Sequence, residues 1–61
     1  MEVKQVKSNL GASVLWHNTE YIFSKCTIQK IENGFFYGAV LIDKNKNSTI
    51  EVPLTQIELK G

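Results

Sequence analysis

Two side chains in this chain could serve as a nucleophile and its base, Cys26 and His17, and each is the sole residue of its type. Nucleophilic catalysis requires a thiol held beside a group that can take its proton. Nothing in the spacing of these two brings them together, and a lone Cys in a strand is usually a small buried apolar residue. Metal binding finds no better footing, because one His, one Cys and scattered acids give no ligand pair at short spacing. Glu20, Glu32, Asp43, Glu51 and Glu58 fall mostly at turns or on solvent faces, where paired carboxylates cannot share a cleft. Gly34 and Gly38 stand four apart with aromatics between them, which is not a phosphate-binding loop. The residues therefore predict no enzyme, no metal and no cofactor.

Binding chemistry has more to work with. Phe35, Tyr37 and Trp16 could stack on bases, and Lys25, Lys30, Lys44 and Lys46 could meet phosphates, as small barrels that bind single strands do. Against this stand a formal charge of only +1 and the absence of Arg, the side chain best shaped to grip phosphate. Lys on an edge strand also has the simpler task of discouraging sheet-to-sheet aggregation.

The elements that must position these groups are short. At 61 residues the chain is one small domain, residues 1–61, with a thin core. The longest apolar run is eight residues, against about 20 for a membrane span. The N-terminus alternates charge and short apolar residues without a signal-peptide core, and one Cys cannot close a disulfide. Both features predict a cytoplasmic protein. All seven basic residues are Lys, and Lys, Asn and Ile fill 18 of 61 positions, the coding bias of an AT-rich genome such as that of a low-GC bacterium, its phages or plasmids.

Turn signals recur at Ser8-Asn9 with Gly11, His17–Thr19, Glu32–Gly34 and Asp43–Ser48, a rhythm typical of all-β sandwiches and barrels. Asn33-Gly34 is the strongest, since both residues tolerate the positive φ of a tight hairpin. Between turns, Ala12, Val14 and Trp16 alternate with Ser13 and His17. Ile22, Cys26 and Ile28 could share a face, with a bulge between Ile28 and Ile31. Ser48, Ile50 and Val52 alternate with Thr49 and Glu51. Helix is expected only as a single turn at Thr55–Ile57.

The stretch Phe35–Ile42 is apolar, aromatic or glycine throughout, so both faces of its strand are water-averse. The reading places Phe36, Val40 and Ile42 toward the core and Phe35, Tyr37 and Leu41 on the second face. That second face must be covered by the N-terminal segment (Val3, Val6, Leu10) or by another molecule, because each such side chain left in water forfeits roughly 1.5–3 kcal/mol.

The run Cys26–Ile31, a turn, Gly34–Val40, a polar turn and Val52–Leu59 resembles an SH3-like small β-barrel. In that family an aromatic pair opens the strand before the distal hairpin, here Phe35-Phe36 or Phe36-Tyr37. A hydrophobic-Pro step, here Val52-Pro53, leads into one helical turn, and Ile57 and Leu59 would close the barrel. Gly34–Ala39 is also similar to the opening of Tudor barrels, although the segment from Asp43 to Val52 is too short for their extra strand. Gln56 stands where peptide-binding SH3 members carry Tyr. Gly34, Gly38, Asp43 and Asn47 echo the Sm-like pattern at shorter spacing, without an N-terminal helix.

The resemblance implies an all-β, SH3-like, five-stranded antiparallel barrel with one short helical turn before the last strand. Strands are predicted near 2–7, 12–16, 21–31, 35–43 and 48–53, with a closing strand at 57–60. The function expected of it is non-catalytic binding of a protein partner or of a second copy, as in a small accessory or inhibitor protein of a phage or other mobile element. The partner-binding residues are Phe35, Tyr37, Trp16 and Tyr21. The alternative is a nucleic-acid-binding barrel using the same aromatics with Lys25, Lys30, Lys44 and Lys46.

Overall fold

Helical spacing hides inside the charge alternation of the N-terminus, where Val3, Val6 and Leu10 recur at intervals of three and four. In the computed structural model, which describes residues 1–60, Val3–Gln5 forms a 3-10 turn continued by one turn of helix, α1, at Val6–Asn9. The strand predicted at 2–7 is therefore a helical segment, with one turn of α-helix where the sequence reading expects none. Local side chains decide it: the Glu2 N–H donates to Gln5 Oε1 at 2.9 Å, and Asn9 Nδ2 donates to the Gln5 carbonyl at 2.7 Å. These bonds satisfy groups that a strand would leave to a neighbour.

Five strands follow: β1 Ser13–Trp16, β2 Thr19–Ile31, β3 Gly34–Asp43, β4 Ser48–Pro53 and β5 Glu58–Leu59. All pairings are antiparallel, and they form one sheet in the order β4-β3-β2-β1-β5. β4 and β5 are its two edges, and the sheet is not closed. A 3-10 turn at Leu54–Gln56 precedes β5, one residue earlier than the sequence suggests. No helix of the described residues is long and apolar enough to cross a membrane.

The turns obey backbone chemistry, with one exchange of roles. His17 and Asn18 both take positive φ, 51° and 61°, the left-handed pair that matches hairpin twist. At the other hairpin Ile31 pairs with Gly34, so Glu32 and Asn33 make the turn and Gly34 opens β3 at φ 147°. Glycine is needed there for a different reason from the one its Asn-Gly pairing suggests. Asp43 organises the third turn: its Oδ1 accepts from the Asn45 and Lys46 N–H groups at 2.9 and 3.3 Å.

The core consists of Val14, Phe23, Ala39, Leu41, Val52, Leu54 and Ile57, with Met1, Val6, Trp16, Tyr21, Cys26, Tyr37 and Ile50 packed around it. The faces of β3 are the reverse of the expectation. Leu41 is fully buried opposite Phe23, and Ala39 is buried between Cys26 and Val52, whereas Phe36 is 39% exposed. The cause lies in β2. A bulge between Phe23 and Lys25, not between Ile28 and Ile31, shifts the side-chain alternation at Ser24. Ile22 consequently pairs with Ile42 on the outer face, while Cys26 and Ile28 join Phe23 on the inner one. β4 follows its predicted alternation, with Val52 buried and Thr49 and Glu51 exposed.

Candidate interaction surface

β2 and β3 outrun their neighbours. β1 pairs with β2 only over Thr19–Ile22, and β4 pairs with β3 only over Gly38–Asp43. Beyond those limits the two long strands continue alone as a two-stranded ribbon to the turn at Glu32-Asn33. Among the described residues no third strand pairs with the end of this ribbon, so apolar residues placed there meet water.

The sequence places four of them there. Ile28 is 65% exposed, Phe35 59%, Ile31 47% and Phe36 39%. Ile28 stands directly opposite Tyr37, and Phe35 opposite Lys30, on the inner face; Phe36 opposes Gln29, and Ile31 opposes Gly34, on the outer face. Tyr37 marks the border, half-buried and packed against the core. The inner row thus runs continuously from the core (Ala39, Cys26) through Tyr37 and Ile28 to the exposed Phe35.

Trp16 and Tyr21 form a separate group at the opposite end of β2. Their ring centroids lie 6.1 Å apart in an edge-on arrangement, and His17 lies 4.2 Å from Trp16. Trp16 Nε1 donates to Gln56 Oε1 at 3.0 Å, so Gln56 anchors the indole. Trp16 and Tyr21 also pack on the core. All four proposed partner-binding residues therefore belong to the inner face, but they divide into a core-packed pair and a ribbon pair. Ile28, Ile31 and Phe36 were missed as surface residues. The signal available was the failure of Ile31 to keep register with Ile28.

The lysines are dispersed. Lys25 lies on the outer face opposite Val40, Lys30 on the inner face opposite Phe35, and Lys44 and Lys46 in the turn after β3. Lys44 is committed to Glu20, with Nζ 3.1 Å from one carboxylate oxygen; Lys60 approaches the other at 2.8 Å. The hydrogen bond from Lys60, then those from Ser13 and Lys44, pull the Glu20 carboxyl down to about 2. On the outer face Thr27 Oγ1 donates to Glu51 Oε2 at 2.8 Å.

His17 and Cys26 are not brought together. His17 sits in the β1–β2 turn, and the extended chain from Thr19 to Cys26 spans about 23 Å at strand rise. Burial pushes the Cys26 thiol up, the direction opposite to that which makes a thiolate nucleophile. No cluster of three or more His, Cys, Asp or Glu among the described residues is arranged to hold a metal ion. No protein-family model, no curated protein and no solved structure matches this chain.

Proposed function

We propose that the chain is a non-catalytic protein-interaction module that presents the β2–β3 ribbon to a partner. The observation that carries this reading is the exposure of Ile28, Phe35, Ile31 and Phe36 on a ribbon that leaves them open to water among the described residues. On the inner face Ile28 and Phe35 flank Tyr37 with Lys30 at the rim, the composition of an interface rather than of an ordinary solvent face, while Phe36 and Ile31 add a second exposed apolar pair on the outer face. The strand order and the 3-10 turn before β5 support reading the sheet as an SH3-like barrel left open between β4 and β5. In that reading the ribbon is the part that outgrows the barrel. The accessory or inhibitor role on a phage or mobile element rests on the Lys-, Asn- and Ile-rich composition alone.

The nucleic-acid alternative needs basic side chains on the face that carries the aromatics, and Lys30 is the one lysine of the four placed opposite an exposed aromatic. Affinity capture with the full chain tests the reading. A defined protein partner should be retained at high salt and lost with a Phe35→Ser/Ile28→Ser variant. Retention of nucleic acid that falls steeply as salt rises would overturn it.

A further inference from the structure

Asn33-Gly34 is the strongest turn signal in the sequence, yet the fold does not seat it as the turn. In the favoured two-residue hairpin both central residues take positive φ, and Asn-Gly fills those two places. Here Glu32 and Asn33 are central, neither takes a positive φ, and Gly34 stands outside as the partner of Ile31. A turn of this kind twists against its strands and splays them. It closes the end of a ribbon that no third strand braces among the described residues. Ile31–Gly34 is therefore the pair that opens most readily.

We propose that Asn33 is a site of self-modification, at which the Gly34 backbone nitrogen attacks the Asn33 side chain and its amide becomes a carboxylate. The Gly34 N–H gives its proton to hydroxide, and the nitrogen adds to Asn33 Cγ. That new C–N bond closes a succinimide ring. The Cγ–Nδ2 bond breaks, and the nitrogen leaves as ammonia with a proton from water. A water molecule then opens the ring at either carbonyl, leaving aspartate or isoaspartate at position 33. In sum an amide and a water become a carboxylate and an ammonium ion, with no change of oxidation state.

Sterics and bonding select this residue among the five asparagines, a thermolabile residue type. Asn33 and Gly34 are both exposed, and a Cβ built on Gly34 would meet nothing within 4 Å. Glycine adds no side chain to crowd the ring, and its backbone turns freely into the attacking geometry. Asn9, Asn18, Asn45 and Asn47 instead precede Leu10, Thr19, Lys46 and Ser48. Asn9 is also tied down, its Nδ2 donating to the Gln5 carbonyl at 2.7 Å, whereas among the described residues no side-chain hydrogen bond holds the Asn33 amide. The product sets a second carboxylate beside Glu32 and takes the formal charge of the chain from +1 to zero. In the isoaspartate form the main chain gains one carbon, which puts Gly34 out of register with Ile31. The site stands whether or not the ribbon has a partner.

Mass spectrometry of the folded full chain, incubated for days at neutral and at mildly alkaline pH, tests this. The mass should rise by the exchange of an amino for a hydroxyl group. The gain should lie in the tryptic peptide Ile31–Lys44, whose one asparagine is Asn33. That peptide should resolve into aspartate and isoaspartate forms, and their rate of appearance should follow hydroxide concentration. Asn33→Gln, whose longer side chain disfavours the ring, should abolish the change and leave the thermal melt where it was. An unmodified peptide would overturn the proposal, and so would aspartate alone, since direct hydrolysis does not pass through the ring. Conversion only after unfolding in urea would overturn it too, because the turn would then be keeping Gly34 from Asn33. Faster conversion at Asn45 or Asn47 would overturn the selection of Asn33.

Discussion

Thr27 and Glu51 are joined by a 2.8 Å hydrogen bond that passes over the strand between them, and the residue beneath is Gly38. A Cβ on Gly38 would lie 2.6 Å from Thr27 Oγ1 and 3.2 Å from Glu51 Oε2. The glycine is thus required by a polar contact on the outer face rather than by its backbone angles. Gly38→Ala should force Thr27 to another rotamer and break the bond, at about 0.5–1.5 kcal/mol. Chemical denaturation of the four members of a double-mutant cycle with Thr27→Ala checks it. The cost of Gly38→Ala should largely vanish when Thr27 is already Ala.

The reversed faces of β3 can be checked by a pair of truncations. Leu41→Ala removes a fully buried side chain and should cost about 2–5 kcal/mol. Phe36→Ala removes a partly exposed one on the outer face and should cost well under half as much. In a domain of this size 1 kcal/mol moves Tm by about 4–8 °C, so thermal melts separate the two. Equal losses would mean that Phe36 shares the core after all.

Phe23 should be the least replaceable residue. It is fully buried at the point where β2 changes register, and Phe→Ala in a core costs about 3–5 kcal/mol. Small domains have little more than that to lose. Circular dichroism of Phe23→Ala should show a chain largely unfolded at room temperature, and a cooperative melt near that of the parent would contradict the assigned core.

Acid should weaken the fold through Glu20. Its carboxyl titrates near 2 in the folded chain, against an ordinary value of 4.5, because Lys60, Ser13 and Lys44 favour the charged form. The unfolded chain therefore takes up the proton first as pH falls. The stabilisation is complete above about 4.5 and is lost between there and about 2. Melting curves over that range should converge for the parent and Glu20→Gln, with the parent the more stable above it. High salt should narrow the gap, since the cluster is solvent-accessible.

The strands from Ser13 to Pro53 were legible because their residues carry their own instructions. Turn formers break the chain at intervals, and β-branched and aromatic residues fill the segments between. Ser48–Val52 also states its buried face, since only alternate residues are apolar. The N-terminal segment was not legible as helix, because Val3, Val6 and Leu10 fit a helical spacing while Glu2, Lys4 and Lys7 fit an alternating one. Hydrogen bonds from the Glu2 N–H to Gln5 Oε1 and from Asn9 Nδ2 to the Gln5 carbonyl settle that conflict.

By itself the sequence determined an antiparallel all-β chain, the place of each hairpin and the helical turn after Pro53, since local backbone preferences act over a few residues. It also determined that β3 would be apolar on both sides. Which side became core could not be local, because Phe35–Ile42 contains no polar residue to break the symmetry between its faces. Tertiary structure decided it through the bulge at Ser24, which sets Phe23 against Leu41 and leaves Ile22 and Ile42 outside. The ribbon has the same origin. Strand lengths are written in the sequence, but how far β1 and β4 reach along β2 and β3 depends on pairing across the sheet, and that reach leaves Ile28 and Phe35 in water.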